Sequence, residues 1–124
     1  MRTPRVAAGI LMLALVGALS ACVGAPPPDD VATYAYDGAG SDALLTGTLV
    51  REDGCTYLDD EFGERWLPIF PRDGLSWTDD ALISGSQAYP LGGEARLGGG
   101  EGGRDVANVP EACAPSAGGW LVAP

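Results

Sequence analysis

The sequence predicts an all-β fold, a small OB-like barrel or sandwich of about five or six short strands that is stapled by one disulfide. Short segments rich in β-forming residues alternate with turn signals of Gly, Pro and Asp. No segment after residue 21 shows the 3.6-residue apolar periodicity of an amphipathic helix. The cysteines at positions 55 and 113 predict the disulfide.

The first 21 residues have the pattern of an export signal. Arg2 and Arg5 precede the uncharged, mostly apolar run of residues 6–21. That run is shorter than the roughly 20 residues of a comfortable membrane span, and it ends in small residues. We therefore predict a signal peptide over residues 1–21.

The end of this run reads Leu19-Ser20-Ala21-Cys22. It resembles the lipobox of bacterial lipoproteins, in which a hydrophobic residue and two small residues precede a cysteine. The resemblance implies cleavage between Ala21 and Cys22, a diacylglyceryl group on the Cys22 thiol, and acyl chains such as palmitate. Because more than one buried acyl chain gives stable anchoring, we expect a lipid-anchored protein at the outer face of the cell membrane.

The chain after the signal divides into a predicted tether and a predicted domain. Residues 22–42 contain three consecutive prolines and small polar residues, which favour an extended, solvated tether. The alternation of Tyr34 and Tyr36 leaves open an added edge strand. The small β domain is expected over residues 43–124, with candidate strands at 44–51, 55–58, 65–70, 75–77, 81–83, 87–91, 94–97 and 119–122.

With Cys22 assigned to the lipid, Cys55 and Cys113 remain. An export signal implies an oxidising compartment, where two remaining thiols usually pair. Acidic residues beside Cys55 raise rather than lower the pKa of a thiol, which argues against a reactive cysteine. We predict a structural disulfide that joins the closing strand of the domain to its second strand.

Composition excludes several classes of function. The chain has 124 residues, 17 Asp and Glu against 7 Arg, and a net charge of −10, which argues against nucleic-acid binding. It has no His and no Lys, so Ser-His-Asp triads, Cys-His pairs and lysine nucleophiles are absent. We predict a protein that is not an enzyme and that has no cofactor or metal. A G-x-G-x-x-G match in residues 98–103 has no helix-forming sequence after it, which favours a loop or close backbone packing.

One acidic cluster and one aromatic residue are the candidate ligand or partner surface. The acidic cluster lies in a predicted turn, and the simplest interpretation is that its charged side chains are solvated and bind nothing. The alternative is a cation- or small-ligand-binding loop, since carboxylates are ligands for Ca²⁺, and the weakest is a carboxylate-dependent glycan hydrolase. Trp77 is the aromatic expected to be exposed, whereas Trp66 or Trp120 is expected in the core. The candidate surface residues are Trp77, Asp59, Asp60, Glu61 and Glu64.

Beyond the lipobox, the chain resembles small lipoproteins of high-GC Gram-positive bacteria. The resemblance rests on the Ala, Gly, Pro and Asp bias and on a framework of Leu45, Gly47, Leu49, Gly54, Cys55, Leu58, Leu67, Pro68, Phe70, Pro71, residues 97–100, Pro110 and Cys113. It implies no activity and no active-site residues. We therefore expect a non-enzymatic binding or scaffolding module of the cell envelope, with an envelope protein or glycan as partner.

Overall fold

A computed structural model describes residues 26–124 of the chain. The predicted signal peptide, the cleavage position between Ala21 and Cys22 and the predicted lipid on Cys22 lie outside the described residues. Within residues 26–124 every regular element is a strand, so the all-β prediction is confirmed. No helix long and apolar enough to cross a lipid bilayer occurs in the described part of the chain.

The described chain forms nine strands that coincide closely with the predicted segments, apart from the first. Turn signals such as Asp53-Gly54 and Asp73-Gly74 lie where the chain reverses, and both glycines have a positive φ. The strands are β1 (Ala32–Tyr34), β2 (Ala43–Glu52), β3 (Cys55–Asp60), β4 (Arg65–Pro71), β5 (Leu75–Trp77), β6 (Ala81–Ser84), β7 (Gln87–Pro90), β8 (Glu94–Glu101) and β9 (Gly118–Val122).

Five of these strands close into a barrel. β2 pairs antiparallel with β3 and with β8. β3 also pairs antiparallel with β4, and β8 with β9. A parallel pairing of β9 with β4 completes the ring. The third and fifth barrel strands are thus neighbours, which gives the Greek-key order of an OB-like barrel. The predicted architecture is confirmed.

The first strand corrects the tether prediction. β1 pairs in parallel with the end of β4, from Ala32 beside Ile69 to Tyr34 beside Pro71. Its residues are buried, and Thr33 exchanges two backbone hydrogen bonds with Asn108. The tether prediction is therefore wrong for β1, and the added edge strand is what the structure contains. β4 extends beyond its pairing with β3, which leaves an edge that β1 can occupy.

The barrel interior holds one of two hydrophobic cores. Leu49, Leu58, Phe70 and Leu97 are fully buried there. Trp120 is also buried, as predicted, and packs edge to face on the half-buried Trp66 with ring centroids 5.8 Å apart. Strands β5, β6 and β7 form a separate antiparallel sheet whose Leu75 and Leu82 join this core. The small sheet thus covers apolar surface that the barrel would otherwise expose.

The second core lies outside the barrel, under residues 102–117, which we call the covering segment. Tyr57, Leu67 and Ile69 point outward from β3 and β4 and pack with Cys113 and Ala117 of this segment. The Tyr57 hydroxyl accepts a hydrogen bond of 2.8 Å from the Ala114 amide. The covering segment has no regular strand, so a few backbone hydrogen bonds, side-chain contacts and one covalent bond hold it in place.

The covalent bond is the predicted disulfide between Cys55 and Cys113, which are 58 residues apart. It joins the first residue of β3 to the covering segment just before β9. Arg104 supports the same segment, since its guanidinium donates to the carbonyls of Ala114 and Ala117. The predicted disulfide is confirmed, but Cys113 lies before β9, so the bond fastens the covering segment, and not the closing strand itself, to the second barrel strand.

Replacing both Cys55 and Cys113 by Ala should lower the free energy of unfolding by about 4 kcal/mol. The physical reason is that the unfolded chain regains the freedom of a 58-residue loop. Urea unfolding followed by Trp fluorescence measures the loss. A reductant should lower the melting temperature of the wild type and leave the double variant unchanged; equal urea midpoints for the two proteins would contradict the structural role.

Candidate functional site

The acidic cluster lies at the turn between β3 and β4, and the structure gives its members different surroundings. Asp59 is at the end of β3, where its carboxylate accepts two hydrogen bonds from the Arg65 guanidinium, of 2.7 and 2.9 Å. Arg65 also bridges to Glu52 at 2.5 Å and lies 4.6 Å from the ring centroid of Tyr57. The bonds to Asp59 and Glu52 hold the pKa of Arg65 above its ordinary value. Asp59 is therefore an ion-pair partner within the sheet.

Asp60 fixes the conformation of the turn itself. Its Oδ1 accepts hydrogen bonds from the backbone amides of Phe62 and Glu64, at 2.9 and 2.8 Å. Its Oδ2 accepts a bond of 3.0 Å from Trp66 Nε1, and its own amide donates to the Glu64 carbonyl. Gly63 allows the reversal with a φ of +80°. The Asp60 side chain thus links the turn to Trp66, which packs on Trp120.

The turn presents a single aromatic ring to solvent. Phe62 is 86% exposed, which exceeds the exposure of every other large hydrophobic side chain among residues 26–124. Glu61 and Glu64 are exposed on either side of it. We call residues 61–64 the Phe62 turn. Phe62 is not among the predicted surface residues, although one signal is present in the sequence: an aromatic residue inside an otherwise charged turn has no apolar neighbour in sequence to pack on.

The acidic residues of this region also line a shallow depression of about 220 Å³ on the outer face of the barrel. Strand register places Thr48 between Asp59 and Glu94, so these side chains share one face. Within residues 26–124 no three Asp, Glu or Cys side chains are grouped closely enough to hold a metal ion. Asp59 and Asp60 already have Arg65 and Trp66 as partners. The geometry of the turn therefore adds no support to the cation-binding alternative.

Trp77 was expected to be the exposed aromatic, and that expectation is wrong. Its ring is half-buried, and its Nε1 donates a hydrogen bond of 2.9 Å to Asp30. Arg51 binds the same carboxylate at 2.6 Å, with its guanidinium carbon 4.1 Å from the centroid of the Trp77 ring. Asp30 falls within the predicted tether, and no local sequence signal places it over Trp77. This contact fixes the chain immediately before β1.

Comparison of the chain with protein-family models, with curated proteins and with solved structures finds no match. The OB-like description consequently rests on the strand order and register of this chain. The candidate site rests on the geometry of the Phe62 turn.

Asp60→Asn should flatten the dependence of stability on acid pH. Hydrogen bonds, that of Trp66 Nε1 first and those of the Glu64 and Phe62 amides after it, hold the pKa of Asp60 below its ordinary value of 3.8. A carboxyl group with a lowered folded-state pKa stabilises the fold above its unfolded pKa. That contribution is lost as pH falls through the lower folded-state pKa.

The measurement is the melting temperature of wild type and variant from about pH 6 to about pH 2. The wild type should lose more stability than the variant over the acid part of this range. Glu61→Gln is the matched control, because Glu61 is exposed in the same turn, and it should keep the wild-type profile. Parallel profiles for wild type and Asp60→Asn would show that Asp60 does not hold the turn.

Proposed function

We propose that this protein is a lipid-anchored, non-enzymatic binding module of the cell envelope that docks on a partner protein through the Phe62 turn. The observation that carries the proposal is the presentation of Phe62. Its ring is 86% exposed at the tip of a turn whose backbone is held by the Asp60 carboxylate. The partner offers an apolar pocket for the ring and a basic rim for Glu61 and Glu64.

Energetics support docking at this turn. Burial of a Phe side chain contributes roughly 1.5–3 kcal/mol, and aromatic residues are prominent among the residues that dominate binding energy. A turn that is ordered before binding loses little conformational entropy on binding. The flanking glutamates select a partner of opposite charge and speed its association. Phe62 makes no packing contribution of comparable size within the domain, since most of its surface is exposed.

The proposed lipid on Cys22 sets the distance at which docking takes place. The chain is fixed to the domain at Asp30, through Arg51 and Trp77. A fully extended chain between Cys22 and Asp30 reaches at most roughly 30 Å. The tether is thus much shorter than the predicted residues 22–42. The proposed partner is accordingly a protein at or near the outer face of the cell membrane, which fits an envelope role.

Cys22→Ala should release the protein from membranes, because the thiol is the proposed site of acylation and a protein without acyl chains has no stable anchor. Fractionation of cells followed by extraction of membranes with carbonate measures the distribution. The control is the Cys55→Ala and Cys113→Ala double variant, which should remain in the membrane fraction. Retention of Cys22→Ala together with lipid would contradict the anchor.

A photoreactive benzoylphenylalanine in place of Phe62 should cross-link one dominant partner in intact cells. The same label in place of Leu91, which is 40% exposed elsewhere on the domain, is the matched control and should give no such adduct. Glu61→Lys with Glu64→Lys should abolish the adduct by reversing the charge of the rim.

With the identified partner purified, Phe62→Ala should weaken binding at least about 30-fold and shift the free energy of unfolding by less than about 0.5 kcal/mol. Equal labelling from positions 62 and 91, or wild-type affinity for Phe62→Ala, would contradict docking at the turn. An adduct with a second copy of this chain would contradict docking on an envelope partner and would show self-association instead.

A further inference from the structure

A second surface lies between the β1–β2 connection and the ends of β8 and β9. Five residues of the connection after β1 and Val106 line a groove of about 610 Å³; those of the connection are Ala35, Asp37, Ala39, Gly40 and Ser41. Tyr34, Gly100 and Leu121 contribute lining from the sheet. We call this the β1–β2 groove. Its volume falls within the roughly 300–1,000 Å³ of small-molecule sites.

Glycines allow the groove to form. A Cβ at Gly100 would lie 2.9 Å from the Ser41 side chain, and one at Gly103 would lie 2.7 Å from Leu121 Cδ1. The glycine run of residues 98–103 thus lets the β1–β2 connection and β9 approach closely, in agreement with the packing interpretation of the sequence. Its first three glycines lie within β8, so the dinucleotide-binding arrangement of a strand, a glycine turn and a helix is not formed.

The lining is mixed: apolar side chains alternate with the Ser41 hydroxyl and glycine backbone, and two carboxylates carry its charge. The Tyr34 hydroxyl donates a bond of 2.7 Å to the Val122 carbonyl, so the polar atom of this side chain is already satisfied. Alanines at positions 35, 39 and 123 add further apolar surface. Of the described residues that line the groove, only Asp37 and Glu101 carry charge, and both are negative. Both are exposed, so water solvates them until a cation replaces it.

The arginine that follows the groove residues in sequence does not neutralise this site. Arg104 follows Gly103 in sequence, but its guanidinium donates to the carbonyls of Ala114 and Ala117 in the covering segment. Asp37 Oδ1 accepts a bond of 2.9 Å from the Ala39 amide, which orders the carboxylate beside the groove. An apolar ligand with a positive headgroup therefore matches the groove in both shape and charge. An anionic ligand of the same size would be repelled by both carboxylates.

We propose that the β1–β2 groove binds a small amphiphile with an apolar chain and a single cationic headgroup of the alkylammonium class. The headgroup pairs with Asp37 and Glu101, and the chain lies against Val106, Leu121 and the ring of Tyr34. This site is separate from the Phe62 turn and does not depend on the protein-docking function. It assigns the protein a second ligand of a different chemical class.

The test uses three probes with one eight-carbon chain and different headgroups: octyltrimethylammonium, octanesulfonate and octanol. The full-length protein is titrated with each, below the concentration at which micelles form, by isothermal titration calorimetry. Backbone amide shifts map the site in parallel. Octyltrimethylammonium should bind at least about tenfold more tightly than octanesulfonate and shift amides in residues 35–41 and 100–106.

Asp37→Asn with Glu101→Gln should weaken octyltrimethylammonium binding about fivefold or more and leave octanol binding unchanged. Asp79→Asn with Glu94→Gln is the matched control, because it removes two carboxylates outside the groove lining, and it should bind like the wild type. Phe62→Ala should also bind like the wild type, which separates failure of this proposal from failure of the docking function.

Three results would overturn the proposal: equal binding of octyltrimethylammonium and octanesulfonate, equal loss of affinity in the control variant, or amide shifts confined to other surfaces. Displacement of a segment of the chain itself from the groove by every probe would also overturn it, since the natural occupant would then be intramolecular.

Discussion

The disulfide between Cys55 and Cys113 is the constraint on which the rest of this structure depends. The covering segment contains little regular structure and few large apolar side chains, so its own contacts hold it weakly. The bond fixes it over Tyr57, Leu67 and Ile69, which would otherwise be exposed on β3 and β4. A second core becomes available to a chain that is poor in large hydrophobic residues. β3 and β4 then have apolar packing on both faces, one toward the barrel interior and the other toward the covering segment.

Covering that face has a consequence for where ligands can bind. OB-like barrels commonly bind oligonucleotides and oligosaccharides across their second and third strands and the loops beside them. In this chain those strands are β3 and β4, and the covering segment, which is the loop between the fourth and fifth barrel strands, lies on them. The two surfaces proposed for recognition lie outside this covered face. The Phe62 turn and the β1–β2 groove both lie where strands end, and neither requires the covering segment to move.

Local signals predicted those parts of the fold that depend on local chemistry. Asp53-Gly54 specifies the hairpin between β2 and β3. The disulfide was predicted by elimination and not by local chemistry, because Cys55 and Cys113 are the two cysteines left once Cys22 is assigned to the proposed lipid. β1 was not predictable in this way, because its burial comes from the free edge of β4, 37 residues away in the register of Ala32 with Ile69. Trp77 was misjudged for the same reason, since its partner Asp30 is 47 residues distant. Phe62 lies in a segment with strong turn chemistry, and the charge of that segment concealed the exposed ring.

The distribution of charge connects the two proposed surfaces. Arg51 and Arg65 form ion pairs and Arg104 bonds to carbonyl groups, so three of the basic side chains of the described residues serve the fold. The remaining carboxylates outnumber the basic groups, so the electrostatic potential around the domain is negative. In the two proposals, Glu61 with Glu64 and Asp37 with Glu101 favour positively charged ligands. The first pair flanks a protruding ring, and the second lines a groove. The same sign of charge would attract cationic ligands to both proposed surfaces, and their opposite shapes would determine which ligand each accepts.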